Sequence, residues 1–261
     1  MRVKISRVER DGKITLQETG GFAIVTLHRP ASKNAMTQKM WRELALIGQE
    51  IPKNKKNKVV IVRGGERAFT AGSDIKEFSQ MTVEEADESF RLMEDAISTF
   101  EKLPLPTIAA IHGPAMGAGF VLALSCDLRI GCEQAKMGIP IGRLGITLSK
   151  KFVKRIVELV GPSRMKDLVY TSRILSGKEC YDWGLLNYMA ETQDDVDHYV
   201  MEIAEAIKGQ SQASLKAVKE AVAFSTPSID LPIASGFIHS VDPKDFHEGV
   251  LSFIEKRKPK F

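Results

Sequence analysis

The chain has 261 residues, of which 43 % are hydrophobic and 27 % charged, a composition typical of globular proteins. A formal charge of +4 is too small to indicate a nucleic-acid partner, and no apolar run approaches the ~18 residues of a membrane span. The three cysteines, Cys126, Cys132 and Cys180, show no metal-ligand spacing, so no metal is expected, and an odd number without a secretory leader predicts a reducing, cytoplasmic location.

The first half of the chain alternates strand and helix patterns. Strands are predicted at residues 3–8, 14–18, 22–28, 59–62, 107–111 and 127–130, the first two forming a hairpin around Asp11-Gly12. Helices are predicted near residues 37–50, from Thr82 onward, and over 115–125. Thr82 and Glu85 have the spacing of a capping box, and the prolines at 104 and 106 end that helix.

The second half of the chain is mainly helical. After a loop at residues 138–145, an apolar helix face over 152–160 ends at Gly161-Pro162. Short helices are predicted at 163–170 and 177–184, and longer ones at 194–208 and 211–223. This order predicts an α/β core over residues 1–195 and a C-terminal helical region over residues 196–261.

Two of the predicted strands end in turns of small residues. One runs into Met116-Gly117-Ala118-Gly119 at the start of a helix, and the other into Ala71-Gly72-Ser73-Asp74. Small side chains leave backbone N–H groups uncovered, and a helix start adds positive potential. If both turns converge on one atom they form an oxyanion hole. The alternative is tight packing of helix on strand without any ligand.

Several motifs, in this order and spacing, carry a resemblance to a known family. They are Leu27-His-Arg-Pro-Ala-Ser-Lys-Asn-Ala-Met36, Phe69-Thr-Ala-Gly-Ser-Asp-Ile-Lys-Glu-Phe78, Ala110-Ile-His-Gly-Pro-Ala-Met-Gly-Ala-Gly119, Cys126-Asp127 and Phe253-Ile-Glu-Lys-Arg-Lys-Pro259. Over nearly its whole length the chain resembles the crotonase superfamily, the enoyl-CoA hydratase/isomerase group. The resemblance implies a spiral of ββα units, the ClpP-like crotonase fold, with a C-terminal helical trimerisation region. It also implies a homo-oligomer, either a trimer or a dimer of trimers.

The resemblance further implies an acyl-CoA thioester as substrate, with coenzyme A as part of that substrate and no separate cofactor. Two backbone N–H groups, by position those of Ser73 and Ala118, would stabilise an enolate-like thioester oxygen. The Ala71 carbonyl would lie near the adenine, and Arg29 and Lys33 near the phosphates. Phe253 and Lys256 would cover the nucleotide of the same or a neighbouring subunit, unless the tail serves only solubility. The other residues expected around the substrate are Ala35, Gly72, Asp74, Ile75, Gly117, Pro140, Ile141 and Leu144.

The sequence departs from the pattern of a hydratase at both catalytic carboxylates. A typical hydratase places one glutamate two residues after the last glycine of the turn, where this chain has Val121. The second follows a proline in a Pro-Glu-x-x-x-Gly loop, where this chain has Ile141. Neither side chain can transfer a proton, and losing such a group costs ~10²–10⁴-fold in rate. Efficient hydration by two glutamates is therefore not expected.

Arg143 lies in the loop that normally carries the second glutamate. It can bind a substrate carboxylate through two hydrogen bonds, which suits a malonyl-type thioester; the alternative is an ion pair within the chain or across a subunit interface. The leading hypothesis is an acyl-CoA enzyme that decarboxylates, isomerises or cleaves a carbon–carbon bond. The second is a CoA-thioester-binding protein without turnover. RNA binding through the lysines at 53–58 is not expected, because no aromatic residue lies among them. His112 and Asp127 are predicted to be structural.

Overall fold

The computed structural model describes residues 12–225 and 241–261. Its strands are β1 (Lys13–Thr19), β2 (Phe22–His28), β3 (Val59–Gly64), β4 (Thr107–Ile111), β5 (Pro114–Met116), β6 (Leu128–Gly131), β7 (Lys136–Gly138), β8 (Leu175–Ser176) and β9 (Tyr188–Met189). Its helices are α1 (Gln38–Glu50), α2 (Ile75–Phe78), α3 (Val83–Glu101), α4 (Ala118–Ser125), α5 (Lys150–Thr171), α6 (Gly177–Asp182), α7 (Val196–Lys208), α8 (Gln212–Ser225) and α9 (Pro243–Ile254).

The larger sheet has the strand order β1-β2-β3-β4-β6-β9, with β1 antiparallel to β2 and the remaining pairs parallel. The central strands β3 and β4 are buried on both faces because helices cover both. Along β3, Val60 and Val62 join the cluster that contains α1 and α3, whereas Val59 and Ile61 join the cluster that contains α7. Because successive side chains of a strand point to opposite faces of the sheet, β3 contributes residues to both clusters.

A second layer repeats the order of the first. Three short strands form the sheet β5-β7-β8, and two bridges, Met36 with Ser73 and Thr70 with Ala115, extend this layer toward the segments that follow β2 and β3. Each of β2, β3, β4 and β6 is therefore followed by a short segment that turns into the second layer. This repeating connection is the spiral of ββα units, so the expected crotonase fold is confirmed.

Most of the predicted elements are present, and the structure differs from the prediction in several places. The helix predicted from residue 115 begins at Ala118, because Gly117 has φ 55° and residues 114–116 pair with β7 instead. The loop at 138–145 contains a 3-10 turn, Ile141–Arg143. Residues 14–18 pair with β2 through Gly20-Gly21, and the first arm predicted for their hairpin lies outside the described residues.

The cysteines and the predicted structural residues behave as small packing or hydrogen-bonding groups. Cys126, Cys132 and Cys180 are buried and free, and burial raises the pKa of Cys126 and of Cys180 to about 12. The Asp127 carboxylate accepts hydrogen bonds from the Thr107 amide and hydroxyl at 2.8 and 2.9 Å, as predicted for a structural role. Among residues 12–225 and 241–261, no helix is long and apolar enough to cross a bilayer, and no cluster of metal-ligand side chains is found.

A buried arginine joins α3 to α5. Arg155 is 6 % exposed and donates to both carboxylate oxygens of Glu94, at 2.8 and 3.1 Å, and to both of Glu101, at 2.8 and 2.9 Å. Burial alone lowers the pKa of Arg155, but the bonds to Glu101 and Glu94 raise it above its ordinary value, so its charge is permanent. The same Glu94 carboxylate contacts the hydroxyl of Ser149, the N-cap of α5. The contacts of Glu94 with Arg155 and Ser149 thus hold the start of α5, and with it the end of the preceding loop, against α3.

Replacing Arg155 with leucine is expected to lower the free energy of unfolding by about 3–5 kcal/mol, because it leaves Glu94 buried without a cation. Urea denaturation measures the change. Arg91→Leu is the matched control, since Arg91 pairs with Glu88 at an exposed position and its loss is expected to cost at most about 1 kcal/mol. Adding Glu94→Gln to Arg155→Leu is expected to restore part of the loss, and equal effects of the two arginine variants would contradict this assignment.

Candidate active site

The turn after β3 and the segment before α4 lie against each other. Thr70 joins them through two backbone hydrogen bonds: its N–H donates to the Pro114 carbonyl and its carbonyl accepts from the Met116 N–H, both at 3.0 Å. Gly72 has φ +89°, and a Cβ atom there would lie 2.6 Å from the Met116 carbonyl oxygen and 3.5 Å from the Ala118 nitrogen. Only glycine fits this conformation and this distance, so the glycine at 72 brings the two turns together.

Both of the amides predicted to form an oxyanion hole lie on these two segments. Ala118 is the first residue of α4, and Ser73 is the bridge residue opposite Met36. Within the described part of the chain, neither N–H donates a hydrogen bond to a protein acceptor. Both residues are half-buried. An unbonded N–H in such a position favours an anionic oxygen as its acceptor.

The two positions at which a typical hydratase has its glutamates carry apolar side chains in apolar surroundings. Val121 is fully buried in α4, and Ile141 opens the 3-10 turn and packs against the main core. The carboxylate of Glu94 is half-buried and is held by Arg155, so it does not take the place of the missing glutamates in any bond among the described residues. The site therefore presents hydrogen-bond donors for a negative oxygen with apolar residues at both positions that typically carry the proton-transfer groups.

The loop from Arg29 to Met36 is fastened to the turn that contains Ser73. The Arg29 guanidinium donates to the Asp74 carboxylate at 2.7 Å and to the Ala35 carbonyl at 3.2 Å. Asn34, which sequence reasoning missed, accepts from the Arg29 N–H and donates to two carbonyls beyond β3. Because its charge is paired with Asp74, Arg29 is less available to a phosphate than the exposed Lys33 is.

The Ala71 carbonyl, expected beside an adenine, accepts no hydrogen bond from the described residues, while the Ala71 N–H donates to the Lys33 carbonyl at 3.0 Å. Asp74 also caps α2, accepting from the Lys76 N–H at 3.1 Å. The remaining predicted residues lie in this turn, in the loop before it, at the start of α4 or in the 3-10 turn, and are buried or half-buried: Ala35, Gly72, Ile75, Gly117, Pro140, Ile141 and Leu144.

Arg143 is exposed at the end of the 3-10 turn and makes no ion pair with any described residue. The described residues therefore give no support to the alternative that Arg143 pairs within the chain. The turn is covered by α9 of the same chain. Gly249 packs so closely that a Cβ there would lie 2.5 Å from the Leu144 Cα, and the Asp242 N–H donates to the Gly145 carbonyl at 3.1 Å. The C-terminal helix therefore closes one side of the loop that carries Arg143.

Phe253 and Lys256 lie at the end of α9 and are exposed. Among the described residues, neither forms a hydrogen bond or ion pair with residues 29–36, 71–74 or 117–118. The tail beyond them folds back on α9, where Arg257 contacts the Glu248 carboxylate with two nitrogens. The bonds from Arg257 and from the Lys260 N–H lower the pKa of Glu248 to about 2.

His112, predicted not to be catalytic, lies apart from these residues. Its Nε2 is 3.0 Å from the Asp197 carboxylate on α7, which also accepts from Arg63 at 3.0 Å. The bond to His112, with Arg63 adding to it, holds the pKa of the Asp197 carboxyl below its ordinary value. This cluster fastens α7 to the ends of β3 and β4.

Comparison with known proteins identifies the family of the chain. A family model described as enoyl-CoA hydratase/isomerase matches residues 17–261. The chain is 34 % identical over 245 residues to YngF of Bacillus subtilis, provisionally named an enoyl-CoA hydratase/isomerase, with 91 % of this chain and 93 % of that protein covered. It is 32 % identical over 250 residues to the short-chain-enoyl-CoA hydratase of Clostridium acetobutylicum, with 94 % and 95 % covered.

Among solved structures, the enoyl-CoA hydratase/carnithine racemase of Magnetospirillum magneticum is similar with a TM-score of 0.79 at 32 % identity, covering 95 % of this chain and 94 % of that one. The enoyl-CoA hydratase of Bacillus anthracis gives 0.78 at 28 % identity, with 95 % and 98 % covered. Since the family model spans nearly the whole chain and the fold and the paired turns agree with it, this protein belongs to the enoyl-CoA hydratase/isomerase family of the crotonase superfamily.

Proposed function

We propose that the chain processes acyl-CoA thioesters by stabilising a thioester enolate between the backbone N–H groups of Ser73 and Ala118. The observation that carries the proposal is that these two amides, unbonded within the described residues, lie on segments joined by two hydrogen bonds of Thr70. Two preorganised donors stabilise charge that develops on a carbonyl oxygen, and they act more strongly in a site of low dielectric. Lys33 and the Ala71 carbonyl would hold the coenzyme A part.

We further propose that the reaction is not hydration by two glutamates. With Val121 and Ile141 at both positions, no carboxylate there activates a water or protonates the α-carbon. Isomerisation, decarboxylation and carbon–carbon cleavage all pass through an enolate and share the need for the two amides. The alternative from another class is a protein that binds CoA thioesters without turning them over.

Ala118→Pro is expected to lower kcat by ~10²–10³-fold, because it removes one oxyanion donor while proline is well tolerated at the first position of a helix. Ala118→Ser keeps the N–H and is the matched control. The measurement is mass spectrometry of saturated, 2-enoyl, 3-enoyl and malonyl-type CoA esters after incubation with wild type and both variants.

Each outcome of that panel has a distinct meaning. Gain of water by a 2-enoyl ester would contradict the exclusion of hydration. Loss of carbon dioxide or migration of a double bond would support enolate chemistry and name the reaction. Retention of the esters without any change would favour the binding protein. A turnover that Ala118→Pro leaves intact would contradict the role of the amide.

Arg143 favours one substrate class within this proposal. It is exposed beside Ile141 and unpaired among the described residues, so it is free to bind a carboxylate on the acyl group. Loss of carbon dioxide from such a substrate leaves its electron pair on the α-carbon as the enolate, which then takes a proton from solvent. Because this reaction needs no base to start, it fits a site without the two glutamates.

Arg143→Met is expected to weaken a malonyl-type ester roughly 10–100-fold, the range of a hydrogen bond to a charged group, and to leave acetyl-CoA unchanged. Titration calorimetry of both esters measures the difference. Arg42→Met, an exposed charge on α1, controls for net charge. Equal losses for both esters would assign Arg143 to the coenzyme part or to structure instead.

We also propose a homo-oligomer, a trimer or a dimer of trimers. No residue of α8 is buried, and its Val218 and Phe224 are 61 and 92 % exposed, apolar side chains that a second copy of the chain would cover. Light scattering is expected to give a mass of three or six chains, and a monomer at micromolar concentration would contradict this. The free, buried cysteines support the proposed cytoplasmic location.

A further inference from the structure

The side chain of Trp41 connects the interior of α1 to the turn that contains Ser73. Trp41 is 1 % exposed and is one of the buried residues of α1. Its indole nitrogen, the only polar atom of the side chain, donates to the Ser73 hydroxyl at 3.1 Å. This buried hydrogen bond holds the large, rigid indole ring of Trp41 at the position of Ser73 in the turn.

The Ser73 hydroxyl has a second buried partner. Its proton is directed at the Met93 sulfur, 2.7 Å away, on α3, and Met93 is 1 % exposed. The oxygen accepts from Trp41 and the hydrogen is donated to Met93, so the hydroxyl is occupied in both capacities. Ser73 is therefore not placed to act through its side chain as a nucleophile or as a proton donor.

The peptide groups on both sides of Ser73 are held as well. The Gly72 carbonyl accepts from the Met36 N–H at 2.8 Å, and the Asp74 N–H donates to the Met36 carbonyl at 2.9 Å. In a parallel bridge of this kind the N–H of the middle residue points away from the partner strand. With both neighbouring peptides and the side chain fixed, the direction of the Ser73 N–H is determined.

We propose that Trp41 is a positioning residue that aims the Ser73 amide at the thioester oxygen, with Met93 completing the hold on the Ser73 side chain. This inference deepens the proposed function and rests on it. Because Trp41 is buried, its effect passes through the Ser73 hydroxyl to the backbone. Hydrogen bonds in a catalytic site must be held to within about half an ångström of their productive geometry, so a loosened turn weakens the bond to an enolate more than the bond to a neutral carbonyl.

The test uses acetoacetyl-CoA, whose enolate is observed directly by its ultraviolet absorbance, and S-ethyl-CoA, a thioether without a carbonyl oxygen. Trp41→Phe removes the indole N–H and keeps an aromatic ring. It is expected to raise the pH at which bound acetoacetyl-CoA is half enolate by about one unit, a tenfold loss of enolate stabilisation. The affinity for S-ethyl-CoA is expected to stay within about twofold.

Two controls separate positioning from a structural role. Trp183→Phe changes the other tryptophan of the chain, which lies between Arg164 and Arg173, and is expected to leave the enolate equilibrium unchanged. Ser73→Ala removes the hydroxyl and is expected to produce the same shift as Trp41→Phe, with no further shift in the double variant, because both act through one bond. Additive shifts in the double variant would overturn the proposed route through Ser73.

The outcomes distinguish the inference from the function on which it rests. If wild type binds acetoacetyl-CoA and stabilises its enolate but Trp41→Phe does not change the equilibrium, the positioning role is wrong and the proposed function stands. If Trp41→Phe weakens both CoA ligands equally, Trp41 is a packing residue only and the inference is overturned. If wild type shows no enolate stabilisation, the proposed function fails and the inference fails with it.

Discussion

The close approach of two backbone turns, permitted by the absence of a side chain at Gly72, is the constraint on which the site depends. The paired hydrogen bonds of Thr70 to Pro114 and Met116 make the end of one strand and the start of α4 into neighbours. A Cβ at residue 72 would occupy the space of the Met116 carbonyl. The N–H groups of Ser73 and Ala118, which donate to no acceptor among the described residues, lie on the two segments that this contact joins.

The same constraint organises the loops around the turn. Arg29 reaches from the loop after β2 to Asp74, so the carboxylate that caps α2 also fixes the position of residues 33–36. From that loop Met36 holds the peptides on both sides of Ser73, and from α1 Trp41 holds its side chain. The turn is thus supported from its backbone and from its side chain by groups distant in sequence.

The buried guanidinium groups of Arg129 and Arg155 are held by hydrogen bonds, and that limits the available chemistry. Arg155 donates to the carboxylates of both Glu94 and Glu101 between α3 and α5, and burial lowers the pKa of Arg129, which donates to the carbonyls of Cys126 and Leu185. Such groups hold helices and loops together and are not free to move protons. In the proposed function, with valine and isoleucine in place of the two glutamates, the backbone amides would make the main electrostatic contribution to an enolate.

The sequence by itself determined the fold and the residues of the candidate site. Local signals indicate its elements: the alternating strand and helix patterns, the capping box at Thr82 and the glycine turns. The order and spacing of the motifs indicate the family without any knowledge of distances in the folded chain. The absence of both glutamates is likewise evident from position alone, because Val121 and Ile141 stand in recognisable surroundings.

Only the tertiary structure decided which partner each polar group takes. From its position in the sequence Arg29 is expected to bind a phosphate, but in the folded loop its guanidinium pairs with Asp74. In the sequence Trp41 is indistinguishable from any other core residue, and only the structure shows that its indole nitrogen donates to Ser73. The covering of the Arg143 loop by α9 joins residues about a hundred positions apart. These contacts form between segments that are distant in the sequence, and local sequence patterns do not indicate which distant segments come together in the fold.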